Sequence, residues 1–175
     1  MTRTAIYPGT FDPIHLGHID IAMRAAEIFD HVVVAIYDRP AKSPLFTLEE
    51  RMGLAHEAFA DYPRIRVDTY DCLTVEFARR IGADAIVRGL RVISDFEVEY
   101  QMALTNRQLA PEIEFVCLMT RKNYAFVASS IVKEIALLEG DVTGMVPPHV
   151  AEALEAKRIQ LDENDKAVPV VSLRD

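Results

Sequence analysis

The chain has little of what would assign it to several large classes. It holds only two cysteines, Cys72 and Cys117, each alone in an apolar segment. Two isolated thiols argue against a disulfide scaffold or a cysteine metal site, and are expected to be free and buried in a reducing compartment. No apolar run approaches a membrane span, and the first residues lack the basic-then-apolar pattern of a secretion signal. The expectation is a cytoplasmic protein with no membrane partner. Positive charge is not in excess: 19 Lys and Arg against 27 Asp and Glu leave a formal charge of −8. That speaks against non-specific nucleic-acid binding, but a few local cations can still hold a small anion. G-x-G-x-x-G is missing after the first apolar run, and G-x-x-x-x-G-K-[ST] is missing throughout, so the dinucleotide fingerprint and the P-loop are both absent. His56-Glu57 has no second histidine at zincin spacing, and His15 with His18 has no third ligand, so no dedicated metal site is expected. There is no internal repeat or low-complexity segment.

What is present is 175 residues, 50% hydrophobic, enough for one domain with a real core. The stretch Ala5 to His18, A-I-Y-P-G-T-F-D-P-I-H-L-G-H, organises the rest. An apolar strand, Ala5-Ile6-Tyr7, breaks at Pro8-Gly9, turns through Thr10 to Pro13 and restarts as a helix at Gly17-His18. Such a handover leaves the first N–H groups of the helix unpaired, and with the macrodipole they favour an anion. Gly17 would let a ligand approach the backbone, and His18 could donate to a phosphate oxygen.

Helix and strand signals then alternate. Ile21, Ala22, Ala25 and Ile28 recur at helical spacing to about Phe29. His31 to Ile36 is a continuous run typical of a strand buried on both faces. Thr47 and Glu50 form a capping box for a helix to about Phe59. Strands follow at Ile65 to Thr69, Ala85 to Val87 and Ile113 to Met119. A helix is expected from Leu73 to Ile81, and a long one, capped by Ser94 and Glu97, to about Leu109. The last two run from Ile131 to about Leu138 and from Pro147-Pro148 to about Lys157. This order implies an α/β fold, a doubly wound parallel sheet with C-terminal helices. Ligands bind such sheets outside the carboxyl ends of the strands. The polar punctuation falls there: Pro8 to His18, Lys42, Arg88 to Arg91, and Tyr124 to Ser130. Residues 1–158 are expected to form the domain and 159–175 a loosely attached tail.

Each candidate group also has a plain reading. His18 could merely hydrogen-bond nearby backbone, Arg88 and Arg91 could be surface charges, Lys42 a solvated lysine, and Ser129-Ser130 ordinary caps. Their shared position after strands favours phosphate contacts, for which Arg is the usual residue.

P-G-T-F-D-P-x-x-x-G-H resembles the nucleotidyltransferase form of the H-x-G-H signature, here His15-Leu16-Gly17-His18. With K-S-P-L-F-T-L-E-E-R, V-R-G-L-R-V-I-S-D-F-E-V-E-Y-Q-M-A-L-T-N-R and A-S-S-I-V-K-E, the set is similar to the bacterial phosphopantetheine adenylyltransferases, from the first strand to about Lys157. The resemblance implies a Rossmann-like nucleotidyltransferase fold and transfer of AMP from ATP to 4′-phosphopantetheine, giving dephospho-coenzyme A and pyrophosphate. It implies catalytic roles for His18, Lys42 and Arg91. It implies an ATP site from Thr10, Phe11, His18, Gly89, Leu90, Arg91, Glu99, Tyr124, Ala125, Phe126, Val127, Ala128, Ser129 and Ser130. Thr10, Lys42, Thr74 and Arg88 would hold the acceptor. It further implies Mg²⁺ carried by ATP, feedback binding of coenzyme A and a hexamer of two trimers. The family often has threonine where His15 stands and serine where Ala128 stands. Rival readings are another small nucleotidyltransferase, acting on nicotinamide mononucleotide or a phospho-alcohol, and a non-catalytic nucleotide-binding module. A class I aminoacyl-tRNA synthetase fits poorly with so short and acidic a chain.

Overall fold

Strand and helix alternate as expected. A computed structural model of the chain describes residues 2–40 and 43–163. The strands β1 (Thr4–Gly9), β2 (His31–Tyr37), β3 (Ile65–Tyr70), β4 (Ala85–Leu90) and β5 (Glu114–Met119) form one sheet in the order β3-β2-β1-β4-β5. Every neighbouring pair is parallel. The helices among the described residues are α1 (Leu16–Ile28), α2 (Leu48–Ala58), α3 (Thr74–Arg80), α4 (Ile93–Leu109), α5 (Ser129–Leu137) and α6 (Pro148–Glu163), with a short 3-10 turn at Lys122–Tyr124. This is a doubly wound, Rossmann-like α/β sheet with α5 and α6 as C-terminal helices. Among the described residues no helix is long and apolar enough to cross a membrane.

The core lies on both faces of the sheet, as the two-residue period of a strand requires. Ala5, Tyr7, Val34 and Val87 pack with Ile21 of α1, Ala55 of α2, Val132 of α5 and Leu154 of α6. Ile6, Val33, Ala35 and Ile86 pack on the opposite face with Phe77 and Ala78 of α3 and with Ala110 and Ile113. Because both faces of β2 are covered, Val32 to Ile36 are all buried and the run shows no alternation.

The strand order reverses at β1. β1 pairs with β2 from Thr4 opposite His31 to Gly9 opposite Ile36, but with β4 only at Ala5 opposite Ala85 and Ile6 opposite Ile86. Beyond those residues β1 and β4 diverge. Their carboxyl ends therefore border a crevice, the usual ligand site of such a sheet.

Several local expectations are revised. α1 begins at Leu16, because His15 is its N-cap. Ile28 at its last turn is 58% exposed, since the chain turns inward at Phe29, which is buried instead. The Ser94–Glu97 capping box does not form: α4 starts at Ile93 with Val92 as cap, and Asp95 accepts from the Arg91 N–H. Ser129 is the first residue of α5 rather than its cap, a position held by Ala128 with no side-chain bond. Cys117 is exposed and Cys72 half-buried, because β5 is an edge strand none of whose residues is fully buried and Cys72 lies in a connection. α6 continues past Lys157 to Glu163. Lys42 and residues 164–175 of the expected tail lie outside the described residues.

Ile6 is fully buried at the centre of the sheet. Ile6→Ala is expected to lower the unfolding free energy by about 2–5 kcal/mol. Urea denaturation would read this as a lower midpoint at unchanged slope, and an unchanged midpoint would contradict the packing described.

Candidate active site

The crevice opens into a cleft of two lobes, of about 600 Å³ and about 370 Å³. Pro8, Gly9, Thr10, Arg88, Val98 and Glu99 line both and form their common wall. Arg88 holds that wall together. Where β1 leaves β4, the Pro8 carbonyl loses a sheet partner, and Arg88 Nη1 donates to it at 2.6 Å. Nε and Nη2 of the same guanidinium grip the Glu99 carboxylate at 2.9 Å and 2.6 Å. Glu99 is the one buried residue of α4, so it points a carboxylate where an apolar helix face would be expected. Burial opposes the charge on Arg88, but the bonds to Glu99 outweigh it and raise its pKa. Burial also pushes the neighbouring Tyr7 phenol up. Gly89, next along β4, lies so close to α1 that an added Cβ would sit 3.1 Å from Ile21 Cγ1.

The turn after β1 is over-determined. Phe11 has a φ of 50°, an unusual backbone for a bulky side chain, and sites of function often hold such residues. Asp12, buried, accepts from the N–H groups of Leu45 and Phe46 at 3.0 and 2.9 Å and pairs with Lys133 of α5 at 2.5 Å. Arg51 of α2, 1% exposed, donates to the carbonyls of Thr10 and Tyr37, both at 2.9 Å. These bonds tie the turn to α2, to α5 and to the segment that follows Lys42.

At the start of α1 two histidines cap one another. The His18 N–H donates to His15 Nδ1 and the His15 N–H to His18 Nδ1, each at 3.3 Å. Both Nδ1 atoms are acceptors, so each ring carries its proton on Nε2. Burial, with Arg91 nearby, pulls the His15 pKa down to about 3. Burial, then His15, Arg88 and Arg91, holds His18 well below its usual value. Both rings are therefore neutral here at pH 7, and His18 offers an Nε2–H donor.

Arg91 bonds Asp95 through Nε at 3.0 Å and through its own backbone N–H, and reaches the Val127 carbonyl at 3.3 Å. Ser129 donates to the Pro13 carbonyl at 2.9 Å, joining α5 to the first turn. With Ala128 at the cap, no side-chain cap bond forms at the start of α5 among the described residues.

The larger lobe brings together Thr10, Phe11, His18, Arg88, Gly89, Arg91, Glu99, Tyr124 and Ser129. Pro40, Ser43 and Pro44, which flank Lys42, line it too. Thr74 lines the smaller lobe, its hydroxyl 3.2 Å from that of Tyr70. Leu90, Ala125, Phe126, Val127, Ala128 and Ser130 line neither lobe; Leu90 and Val127 are buried in the core, while Phe126 is exposed. Sequence reasoning missed Asp12, Arg51, Asp95 and Lys133. Only Arg51 had a local signal, since it shares the inward stripe of Leu48, Met52 and Ala55.

Residues 6–135 match the Cytidylyltransferase-like family. Among curated proteins, the phosphopantetheine adenylyltransferase of Thermomicrobium roseum is 52% identical over 160 residues, 90% of this chain and 96% of its own. That of Methylococcus capsulatus is 52% identical over 157 residues, 90% of this chain and 97% of its own. That of Carboxydothermus hydrogenoformans is 50% identical over 155 residues, covering 89% and 96%. The chain belongs to the phosphopantetheine adenylyltransferase family. Its cleft lies within the matched residues, and the His15–His18 pair stands at the H-x-G-H position of this family member.

The neutral histidines link stability to pH. The unfolded chain protonates both rings near pH 6.5, whereas the folded chain keeps them neutral, so acid favours unfolding. Stability should fall as pH drops from 6.5 towards 5, by up to about 1.4 kcal/mol per pH unit for each ring. Urea midpoints across that range would test this, with His15→Asn giving a shallower decline; equal slopes for the two proteins would contradict the buried, neutral His15.

Proposed function

We propose that this chain transfers AMP from ATP to 4′-phosphopantetheine, giving dephospho-coenzyme A and pyrophosphate. The observation that carries the reading is a two-lobed cleft whose shared wall bears Thr10 and Arg88, in a chain of this family. The smaller lobe, with Thr74 among Tyr37, Tyr70, Met102 and Phe115, suits the slender, partly apolar pantetheine arm. Lys42 and Arg88 would hold its phosphate at the wall. The larger lobe would take ATP, with Phe11, Gly89, Arg91, Glu99, Tyr124 and Ser129 around it, while Leu90, Ala125 to Ala128 and Ser130, also proposed for ATP, lie outside its lining.

The acceptor phosphate is already an anion, so its attack needs no general base. One of its oxygens bonds to the α-phosphorus of ATP as the bond to pyrophosphate breaks, in line. Catalysis then consists of holding two like-charged groups together and stabilising the charge that develops. The Nε2–H of His18 would donate to an α-phosphate oxygen, with Lys42, Arg91 and the open N–H groups at the start of α5 drawing charge away. Arg88 is fixed by Glu99 and Pro8, so it would act as an oriented donor rather than a mobile cation.

ATP would enter as its magnesium complex, and the cation would supply positive charge against the polyphosphate without a dedicated set of protein ligands. The cleft carboxylates fit that source: Asp12, Asp95 and Glu99 are each engaged by Lys133, Arg91 and Arg88. Coenzyme A carries both an adenylate and a pantetheine half, would span both lobes, and is proposed as a competing feedback ligand.

Incubation with ATP and each acceptor should release pyrophosphate with 4′-phosphopantetheine and not with nicotinamide mononucleotide or a phospho-alcohol. His18→Ala should fold and bind ATP but lose on the order of 10²–10³ in kcat. Release with another acceptor, or normal turnover by the variant, would overturn the respective assignment.

Assembly is proposed on the apolar face of α4. Ile93 is 85% exposed and Phe96 54%, with Tyr100 and Leu104 also open. A hexamer of two trimers would cover them. Light scattering should give six times the chain mass, 19.7 kDa each. A monomer at working concentration would contradict the proposal.

A further inference from the structure

His15 has no place in the reading above, yet it makes the closest ring contact in the cleft. The His15 and His18 ring centroids are 3.5 Å apart with an interplanar angle of 18°. We propose that His15 is a positioning residue for His18, a flat plate that holds the reactive imidazole in one plane and one tautomer. The kinetic part of this proposal rests on the adenylyltransferase reading, whereas the geometric part does not.

Two constraints act together on His18. The bond from the His15 N–H to His18 Nδ1 selects which edge of the ring faces the backbone, leaving Nε2 to carry the proton. The stacked His15 ring covers one face and so restricts rotation about the side-chain bond. The edge of Phe11, with centroids 4.9 Å apart at 69°, and Tyr7, 6.3 Å apart at 62°, close in as well. A threonine or asparagine at position 15 could accept the same N-cap bond but would offer no face.

Gly17 belongs to the same device. A Cβ built there would lie 3.1 Å from both Cε1 and Nδ1 of His15. The glycine that a sequence reading assigns to ligand approach is thus also what admits the His15 ring over the helix start. His15 is itself buried, and its Nδ1 is occupied by the cap bond. It is therefore built in as a support. The groups around the pair are Tyr7 from β1, Phe11 from the turn, and Arg88 and Arg91 from the end of β4 and just beyond; none is an anion that would draw a proton onto either ring.

The test compares the unaltered protein with His15→Asn, which keeps a cap acceptor and removes the ring. Turnover should fall about ten- to a hundredfold in kcat while KM for ATP stays nearly constant, the mark of a misplaced catalytic group. In protein carrying histidine labelled with 13C at Cδ2, the His18 signal should report the Nε2–H tautomer, and in the variant it should shift or broaden as the ring samples other states. Should His15→Asn not fold, His15→Ser, which also keeps a cap acceptor and removes the ring, carries the same comparison. An unmoved His18 signal with unchanged kcat would overturn the proposal. So would a rise in KM for ATP at constant kcat, which would make His15 a direct ligand contact. If the unaltered protein released no pyrophosphate with any acceptor, the adenylyltransferase reading would fail, and the labelled-histidine comparison would still decide the role of His15.

Discussion

The divergence of β1 from β4 is the constraint on which the site depends. Two parallel strands that pair only at Ala5–Ala85 and Ile6–Ile86 leave backbone groups without sheet partners just where the chain turns into its helices. Arg88 answers this by reaching across the gap to the Pro8 carbonyl and by binding Glu99 with the rest of its guanidinium. One side chain thereby satisfies a broken ladder, fixes the first turns of α4 and stands between two lobes. A shorter cation could not do all three, because only the planar guanidinium presents donors in that fork.

The same economy explains how an acidic chain, with a formal charge of −8, can line one cleft with oriented cations. Among the described residues, the cations at the cleft are not loose. Arg88 is bound to Glu99, Arg91 to Asp95 and Lys133 to Asp12, while Arg51 lies beneath them on the carbonyls of Thr10 and Tyr37. Each pairing limits side-chain freedom in advance, so a substrate meets donors already oriented and little ordering is left for the moment of binding. The histidines fit the same pattern. Burial holds them neutral and their mutual cap fixes the tautomer, so His18 presents a directed N–H instead of a charge.

α4 serves two environments. Inward its one buried residue is Glu99, flanked on the cleft by Asp95, Val98 and Met102, and outward it carries Ile93, Phe96, Tyr100 and Leu104. That inversion of the usual amphipathic helix makes sense if the inner face belongs to the cleft and the outer face to another copy of the chain. β5, paired with β4 alone, ends the sheet as an edge strand and leaves Cys117 exposed.

Much of the fold was legible because its signals are local. Hydrophobic runs such as His31 to Ile36, the Thr47–Glu50 box and the Pro and Gly breaks each act within one or two turns, so order, type and approximate limits of the elements follow from neighbours along the chain. The loops that carry Thr10, His18, Arg88 and Ser129 could be assigned to one edge for the same reason. Ser94–Glu97 misled because a capping pattern needs the chain to enter the helix at the serine, and the bonds between Arg91 and Asp95 start it at Ile93. The supports of the site were illegible because their partners are remote: Asp12 bonds across 33 residues to Leu45 and across 121 to Lys133, and Arg51 across 41 to Thr10. The sequence by itself thus determined the alternating architecture and several of the residues that meet at the strand ends. Only the tertiary structure decided how their charges are paired, which proton each histidine carries and where the sheet splits, because those depend on groups that the fold alone brings within hydrogen-bond reach.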